Sequence, residues 1–125
     1  MQSLEDYTSK ANNMNFRAEC WIDGQFVPAK SGETFENINP ATGKKLCDVA
    51  RGNSNDIDAA VKAARTAFED GRWSGKTPSE RKEVILNLAR LIRENLTEMA
   101  LLDTLDMGKP ISETVNVDVP GSAFF

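Results

Sequence analysis

Apolar and polar residues alternate in short runs over the first half of the chain. Two such runs, Glu19–Ile22 and Gln25–Val27, flank an Asp-Gly pair. This dipeptide favours a two-residue hairpin turn, because both turn positions require positive φ. Thr34–Ile38 alternates with a period near two, and Lys45–Ala50 follows after an Asn-Pro-Ala-Thr-Gly turn cluster. The sequence therefore predicts a small antiparallel β unit.

The spacing of apolar residues changes to three and four after this unit, which indicates helices. The first helix is capped by Ser54 or Asn55, and its apolar positions are Ile57, Ala60, Val61, Ala64 and Phe68.

The second helix begins at a capping box, Thr77-Pro78-Ser79-Glu80, with proline at the first helical position. Its apolar stripe consists of Val84, Ile85, Leu88, Leu91, Ile92 and Leu96. Thr97 caps a third helix, and Gly108 suits the left-handed residue that ends it.

The two ends of the chain give weaker patterns. Residues 1–16 are polar, and we predict a flexible tail there. Pro110 opens another turn or helix, and Val115, Val117 and Val119 then alternate with polar residues before Pro120-Gly121 breaks the pattern. Two adjacent phenylalanines at 124 and 125 are typical of a packing segment separated from its partners, so we expect a fragment.

Composition and charge exclude several classes of protein. The 125 residues suffice for one modest domain, and the net charge of −4 with no basic cluster argues against binding to nucleic acid or an anionic membrane. No apolar run approaches the roughly 20 residues of a membrane span. The N-terminus has acidic residues where a signal peptide has basic ones, so we expect a cytoplasmic protein.

Catalytic chemistry has few candidates in this sequence. The chain has no histidine, which excludes a Ser-His or Cys-His couple and His metal ligands. Glycine-rich phosphate-binding fingerprints are also absent. Cys20 and Cys47 are predicted to be isolated buried thiols. Asp103 and Asp106 are three residues apart and therefore share a helix face. Three interpretations of this pair are open: a cation site, an acid–base pair or a solvated helix end.

The order of the motifs resembles the N-terminal segment of the aldehyde dehydrogenase superfamily. The motifs are Trp21–Gly24, Ser31–Phe35, Asn39–Gly43, the Asp56–Phe68 helix, Trp73-Ser74, Pro78–Arg81, Leu102–Pro110 and Val117–Gly121. The resemblance covers about residues 17–125, and within the family it is greatest to bacterial γ-glutamyl-γ-aminobutyraldehyde and other aminoaldehyde dehydrogenases.

This resemblance implies an α/β fold. Residues 17–125 would form an incomplete N-terminal part of the NAD(P)-binding domain, in which a β-hairpin and short strands precede amphipathic helices. Most of the sheet would be missing, so the helices' apolar stripes would lose much of their cover.

The resemblance also implies a function for a complete chain, namely oxidation of an aldehyde to a carboxylate with NAD or NADP as cofactor, in a dimer or tetramer. The catalytic thiol, the general base and the nucleotide-binding loops of the family lie beyond residue 125. No residue here is therefore assigned a catalytic or cofactor-binding role, and we expect the 125-residue chain alone to be inactive and to bind no cofactor.

Two kinds of site carry over by resemblance. A monovalent cation, Na⁺ or K⁺, would be bound by a main-chain oxygen of Asn37 or Ile38 and by the carboxylate of Asp106, a sensible set of ligands for a hard cation. Val117 and Gly121 would line the mouth of the substrate tunnel. The alternative hypothesis is a non-catalytic interaction or assembly module derived from the same segment.

Overall fold

The computed structural model describes residues 3–124; Met1, Gln2 and Phe125, including part of the predicted C-terminal packing segment, lie outside the described residues. Four strands are present: β1 (Cys20–Ile22), β2 (Gln25–Val27), β3 (Thr34–Ile38) and β4 (Lys45–Ala50). The α-helices are α1 (Leu4–Asn12), α2 (Ser54–Glu69), α3 (Pro78–Glu94), α4 (Leu96–Met107), α5 (Ile111–Glu113) and α6 (Val119–Ser122). A π-helical turn over Thr114–Asp118 joins α5 to α6.

The strands of the predicted small antiparallel β unit form two sheets of two strands each, β1 with β2 and β3 with β4. The chain divides into two compact units. The hairpin unit consists of Arg17–Asn37 and Cys47–Glu83. The helical unit consists of the chain up to Phe16, Ile38–Leu46 and the chain from Val84 onward.

In the hairpin unit, β1 and β2 pair antiparallel around the predicted turn. Asp23 has φ of 52° and Gly24 has φ of 77°, so both turn residues adopt the positive φ that this turn needs. The facing residues Trp21 and Phe26 stack edge to face with ring centroids 4.5 Å apart. The Asp-Gly pair therefore sets both the turn and the register of the hairpin.

Helix α2 of the same unit begins one or two residues earlier than predicted. Asn53 is its cap: the Asn53 side chain accepts the N–H of Asn55, and the Asp56 carboxylate accepts the N–H of Asn53. The capping residue thus precedes the predicted Ser54 or Asn55, which lie inside the first turn.

The core of the helical unit forms where α4 packs against α1, the π-helical turn and α6. Its buried apolar residues are Tyr7, Ala100, Leu101, Val119 and Ala123. The predicted glycine stop is confirmed, since Gly108 ends α4 with φ of 73°.

The N-terminal region differs from the predicted flexible tail, because Leu4–Asn12 forms α1. Ser3 and Asp6 build a complete capping box: the Ser3 side chain accepts the N–H of Asp6, and the Asp6 carboxylate accepts the N–H of Ser3. Tyr7 is then buried in the helical unit. A single buried aromatic residue in a polar stretch does not produce the apolar periodicity from which a helix is predicted.

Of the turn or helix that the sequence predicted after Pro110, the structure has the helix, which runs from Ile111 to Ser122 despite the period-two spacing of the valines. Val115 and Val117 lie in the π-helical turn, and Val119, the first residue of α6, is buried. Three valines at alternating positions therefore lie on a helix, since tertiary packing overrides their strand propensity.

The expected loss of cover on the apolar stripes is confirmed. Ile57, Val61 and Phe68 of α2 are each at least 60% exposed. The α3 stripe is also exposed at Val84, Ile85, Leu88 and Leu91. Within residues 3–124, no helix is long and apolar enough to cross a membrane.

Candidate functional site

The end of α4 lies against the Asn-Pro turn in the helical unit. A Cβ built on Gly108 would lie only 2.9 Å from Cγ of Pro40 and 3.8 Å from the backbone N of Ala41. Buried Asn39 shapes this turn, because its side-chain oxygen accepts the N–H of Ala41 at 2.9 Å. Two motifs more than 60 residues apart in sequence thus meet, and glycine is the residue that allows the close approach.

The proposed cation ligands lie on or near these elements. Asp106 is on the last turn of α4, two residues before Gly108, and is exposed. Ile38 ends β3, two residues before Pro40. Asn37 precedes it on β3 as a half-buried residue of the hairpin unit. The segments that carry Ile38 and Asp106 are therefore neighbours through the contact of Pro40 with Gly108.

Clustered metal ligands of the usual kind are absent from the described part of the chain. Over residues 3–124, no group of three His, Cys, Asp or Glu side chains could hold a metal ion. The proposed cation site has a different composition, with one carboxylate and main-chain oxygens, so its assignment stays a prediction.

An ion pair links the segment after α4 to the π-helical turn. The Lys109 ammonium donates to Oδ2 of Asp118 at 2.5 Å, and both side chains are about one-third exposed. The hydrogen bond to Asp118 raises the pKa of Lys109, and the charges of Asp103 and Glu113 add to this effect.

A hydroxyl pair holds the other side of the same turn. Thr114 is fully buried, and its Oγ1 lies 2.9 Å from Oγ1 of Thr104 on α4 and 3.1 Å from the carbonyl oxygen of Ile111. Sequence reasoning missed Thr104, Thr114 and Asp118. A lone threonine or aspartate has no local signal, because its partner lies nine or ten residues away on another element.

The proposed tunnel residues lie on the helical segment after Pro110. Val117 belongs to the π-helical turn and is more than half exposed. Gly121 is in α6, and no atom outside its local backbone would lie within 4 Å of a Cβ built on it. Gly121 needs neither positive φ nor a close neighbour in this chain, so the structure gives no internal reason for a glycine there.

The two cysteines lie on strands of the hairpin unit and are half-buried. Sγ of Cys20 lies 3.6 Å from the position of a Cβ built on Gly52, so its surroundings are those of a packed side chain. With no histidine in the sequence, neither thiol has the base that a catalytic cysteine commonly uses. No catalytic role is assigned to either cysteine.

Comparison with known proteins agrees with this arrangement. Residues 26–125 match the sequence model of the aldehyde dehydrogenase family. The aminoacetaldehyde dehydrogenase of Pseudomonas aeruginosa is 46% identical over 118 residues, which cover 94% of this chain and 24% of that protein.

Solved structures give the same result. The γ-glutamyl-γ-aminobutyraldehyde dehydrogenase of Burkholderia cenocepacia superposes with a TM-score of 0.96 and 45% identity, over 98% of this chain and 25% of that one. An indole-3-acetaldehyde dehydrogenase variant of P. syringae in complex with NAD⁺ and IAA superposes with a TM-score of 0.96 and 41% identity, over the same fractions.

The chain thus spans about a quarter of the length of the relatives that it matches. The predicted fold, the N-terminal part of the family's α/β architecture, is confirmed by these superpositions. The chain belongs to the aldehyde dehydrogenase family.

Proposed function

We propose that this chain is the N-terminal segment of an NAD(P)-dependent aldehyde dehydrogenase that oxidises an aminoaldehyde to a carboxylate. One observation carries this proposal. A protein named aminoacetaldehyde dehydrogenase shares 46% identity over 94% of the chain. The dehydrogenase that superposes on the chain with 45% identity is likewise named for an aminoaldehyde derivative, γ-glutamyl-γ-aminobutyraldehyde.

The residues of this chain do not fit a nucleotide site by themselves. The sequence has no glycine-rich phosphate loop. When bound, NAD or NADP would accept the hydride, and residues of the remaining three quarters of a family chain would hold it. The same holds for the thiol that attacks the aldehyde and for the base that activates water. The role of the present segment is therefore to support the site.

We propose the monovalent cation site as one such supporting role. A main-chain oxygen of Asn37 or Ile38 and the carboxylate of Asp106 would bind Na⁺ or K⁺, together with an oxygen from elsewhere in the complete chain. The contact of Gly108 with Pro40 supports this, because it holds the segments of Asp106 and Ile38 close together. The carboxylate of Asp106 lies at the C-terminal end of α4, where the helix dipole disfavours a negative charge. A bound cation would offset this unfavourable interaction.

We further propose that Val117 and Gly121 line the mouth of the substrate tunnel. The exposed side chain of Val117 and the open space around Gly121 support this assignment, since both positions can meet a ligand or a later part of the chain. The complete protein would act in the cytoplasm as a homodimer or homotetramer, in keeping with the sequence expectations.

A chimeric enzyme tests the proposed function. The matched N-terminal region of the P. aeruginosa aminoacetaldehyde dehydrogenase is replaced by this chain, and NADH formation is measured with aminoacetaldehyde. We expect kcat/KM within about tenfold of the parent enzyme. A folded chimera without aldehyde-dependent NADH formation would contradict the proposal and favour a non-catalytic assembly module.

A further inference from the structure

The helical segment after Pro110 contains one widened turn, from Thr114 to Asp118. The N–H of Val119 donates to the carbonyl oxygen of Thr114, five residues earlier instead of the four of an α-helix. Thr114 is fully buried and Val119 is only 6% exposed, so this spacing brings both residues to the packed side of the segment. Single π-helical turns inside helices occur frequently at functional sites. The turn is therefore a candidate for a role beyond packing.

The widened turn decides which side chain faces outward. In a regular α-helix, positions on one face recur after three or four residues, so a helix that buried Thr114 would next bury position 117 or 118. Here the next buried residue is Val119, while Val117 is 56% exposed. The outward direction of Val117 thus depends on the π-helical turn.

Polar contacts hold both ends of this turn. At its first residue, Oγ1 of Thr114 lies 2.9 Å from Oγ1 of Thr104 on α4. At its last residue, Oδ2 of Asp118 accepts a hydrogen bond from the Lys109 ammonium at 2.5 Å. The hydroxyl pair holds the packed side, whereas the ion pair holds the residue that directly follows Val117.

Lys109 reaches the turn from a fixed point of the helical unit. It follows Gly108, which ends α4 and has no room for a side chain beside Pro40. The side chains of Lys109 and Asp118 are 37% and 33% exposed. An ion pair this accessible to water adds little to the stability of the fold, but a short charge-assisted hydrogen bond still orients the group that it holds. Loss of the pair should therefore affect the position of the turn more than the stability of the chain.

We propose that Lys109 is a positioning residue for the aldehyde substrate. Its ammonium holds Asp118, and Asp118 fixes the π-helical turn that directs Val117 outward. This inference rests on the proposed function, in which Val117 lies at the mouth of the substrate tunnel. Lys109 acts through Asp118 and does not touch the substrate itself.

Steady-state kinetics of the chimeric enzyme test the proposal. Lys109→Met keeps most of the side-chain length but removes the charge. We expect KM for aminoacetaldehyde to rise at least about fivefold, with kcat and KM for NAD⁺ within about twofold, because the change displaces a residue that contacts the substrate and leaves the reacting groups in place. Lys109→Arg keeps the cation and should stay within about twofold of the unmodified KM.

Asp118→Asn tests whether Lys109 acts through Asp118. In that case Lys109→Met, Asp118→Asn and the double variant should raise KM by the same factor, because each removes the same interaction. Arg90→Met is the matched control, since it removes a half-exposed ion pair of the same 2.5 Å length, with Glu94, in the same unit. This control should leave KM for the aldehyde unchanged.

The thermal midpoint and far-ultraviolet circular dichroism of each chimera show whether the variant folds. Lys109→Gln is a second neutral variant with the same expected rise in KM, should Lys109→Met unfold. An unchanged KM in the folded neutral variants, a rise in KM that Arg90→Met shares, a loss confined to kcat, or additive effects of the two single changes would each overturn the proposal.

The proposed function fails separately from this inference. A folded chimera with the unmodified chain that forms no NADH contradicts the enzymatic role, and this inference with it. An active chimera in which Lys109→Met leaves KM unchanged keeps the enzymatic role and overturns only this inference.

Discussion

The carboxylate of Asp56, on the first turn of α2, accepts the backbone N–H of Lys30 from 26 residues earlier in the chain, at 3.0 Å. Its other oxygen accepts the N–H of Asn53 at 2.9 Å. One buried carboxylate thus caps α2 and fixes the loop after β2 within the hairpin unit. The hydrogen bond from Asn53, assisted by that from Lys30, holds the pKa of Asp56 below its ordinary value, although burial opposes this.

Replacing Asp56 by Asn should lower the thermal midpoint by a few degrees near neutral pH, because two backbone N–H groups lose a charged acceptor. Asp58→Asn changes an exposed residue of the same helix and should leave the midpoint nearly unchanged. Thermal unfolding followed by circular dichroism at pH 7 measures both variants. Equal midpoints for the two variants would contradict the capping role of Asp56.

The pH dependence of the same variant gives a second prediction. A depressed folded-state pKa stabilises the protein above the ordinary aspartate pKa of about 3.9, and this stability is lost as the pH falls through the lower folded value. The difference in midpoint between the unmodified chain and Asp56→Asn should therefore be largest near neutral pH and shrink below about pH 4. A difference that grew on acidification would be inconsistent with this sign.

Gly108→Ala should destabilise the fold by about 3 kcal/mol, because an L residue is strained at φ of 73° and its Cβ would lie 2.9 Å from Pro40. Gly43→Ala is the matched control, with φ of 68° and no atom within 4 Å, and should cost about 1–2 kcal/mol. Urea denaturation measures both. Equal losses in the free energy of unfolding for the two variants would show that the close approach of Pro40 adds nothing to the cost of Gly108→Ala.

Thr114→Val should cost about 1–3 kcal/mol, because it keeps the shape but removes the hydroxyl that pairs with Thr104 at 2.9 Å. The double variant Thr104→Val/Thr114→Val should lose less than the sum of the two single changes, since neither hydroxyl is then left without its partner. A double-mutant cycle in urea tests this. Strict additivity would mean that the two hydroxyls do not interact energetically.

The elements that the sequence predicted well have local causes. The hairpin follows from Asp23-Gly24 and its two positive φ values, and α3 follows from the capping box in which Thr77 and Glu80 exchange hydrogen bonds. The element that was missed, α1, depends on a distant partner, since it gains its burial at Tyr7. After Pro110 the sequence left a turn or a helix open, and the helix is held by Thr114 and other contacts to α4.

The candidate site shows the same division. The family blocks around Pro40 and Gly108 could be recognised from their residues, and the structure shows that they meet. The Lys109–Asp118 pair could not be recognised, because a spacing of nine residues across an irregular helical turn has no characteristic pattern. The apolar positions Ile57, Val61 and Phe68 of α2 were recognised from their helical spacing, but they are exposed in the structure. Periodicity alone does not show which side of a helix the chain itself buries.

The proposed cation site predicts an ion dependence in the chimeric enzyme. Replacing choline by K⁺ or Na⁺ at equal ionic strength should raise its thermal midpoint, and Asp106→Ala should abolish this increase. Asp103→Ala is the control and should retain it, because Asp103 is not among the proposed ligands. An ion response that survives in Asp106→Ala would contradict the proposed carboxylate ligand.

The most direct test of the central claim is the intact mass of the protein purified from its native source, with aldehyde-dependent NADH and NADPH formation assayed on the same sample. We expect a polypeptide about four times as long as this 125-residue chain, active on an aminoaldehyde. A 125-residue polypeptide that oxidises no aldehyde, alone or in a complex, would contradict it.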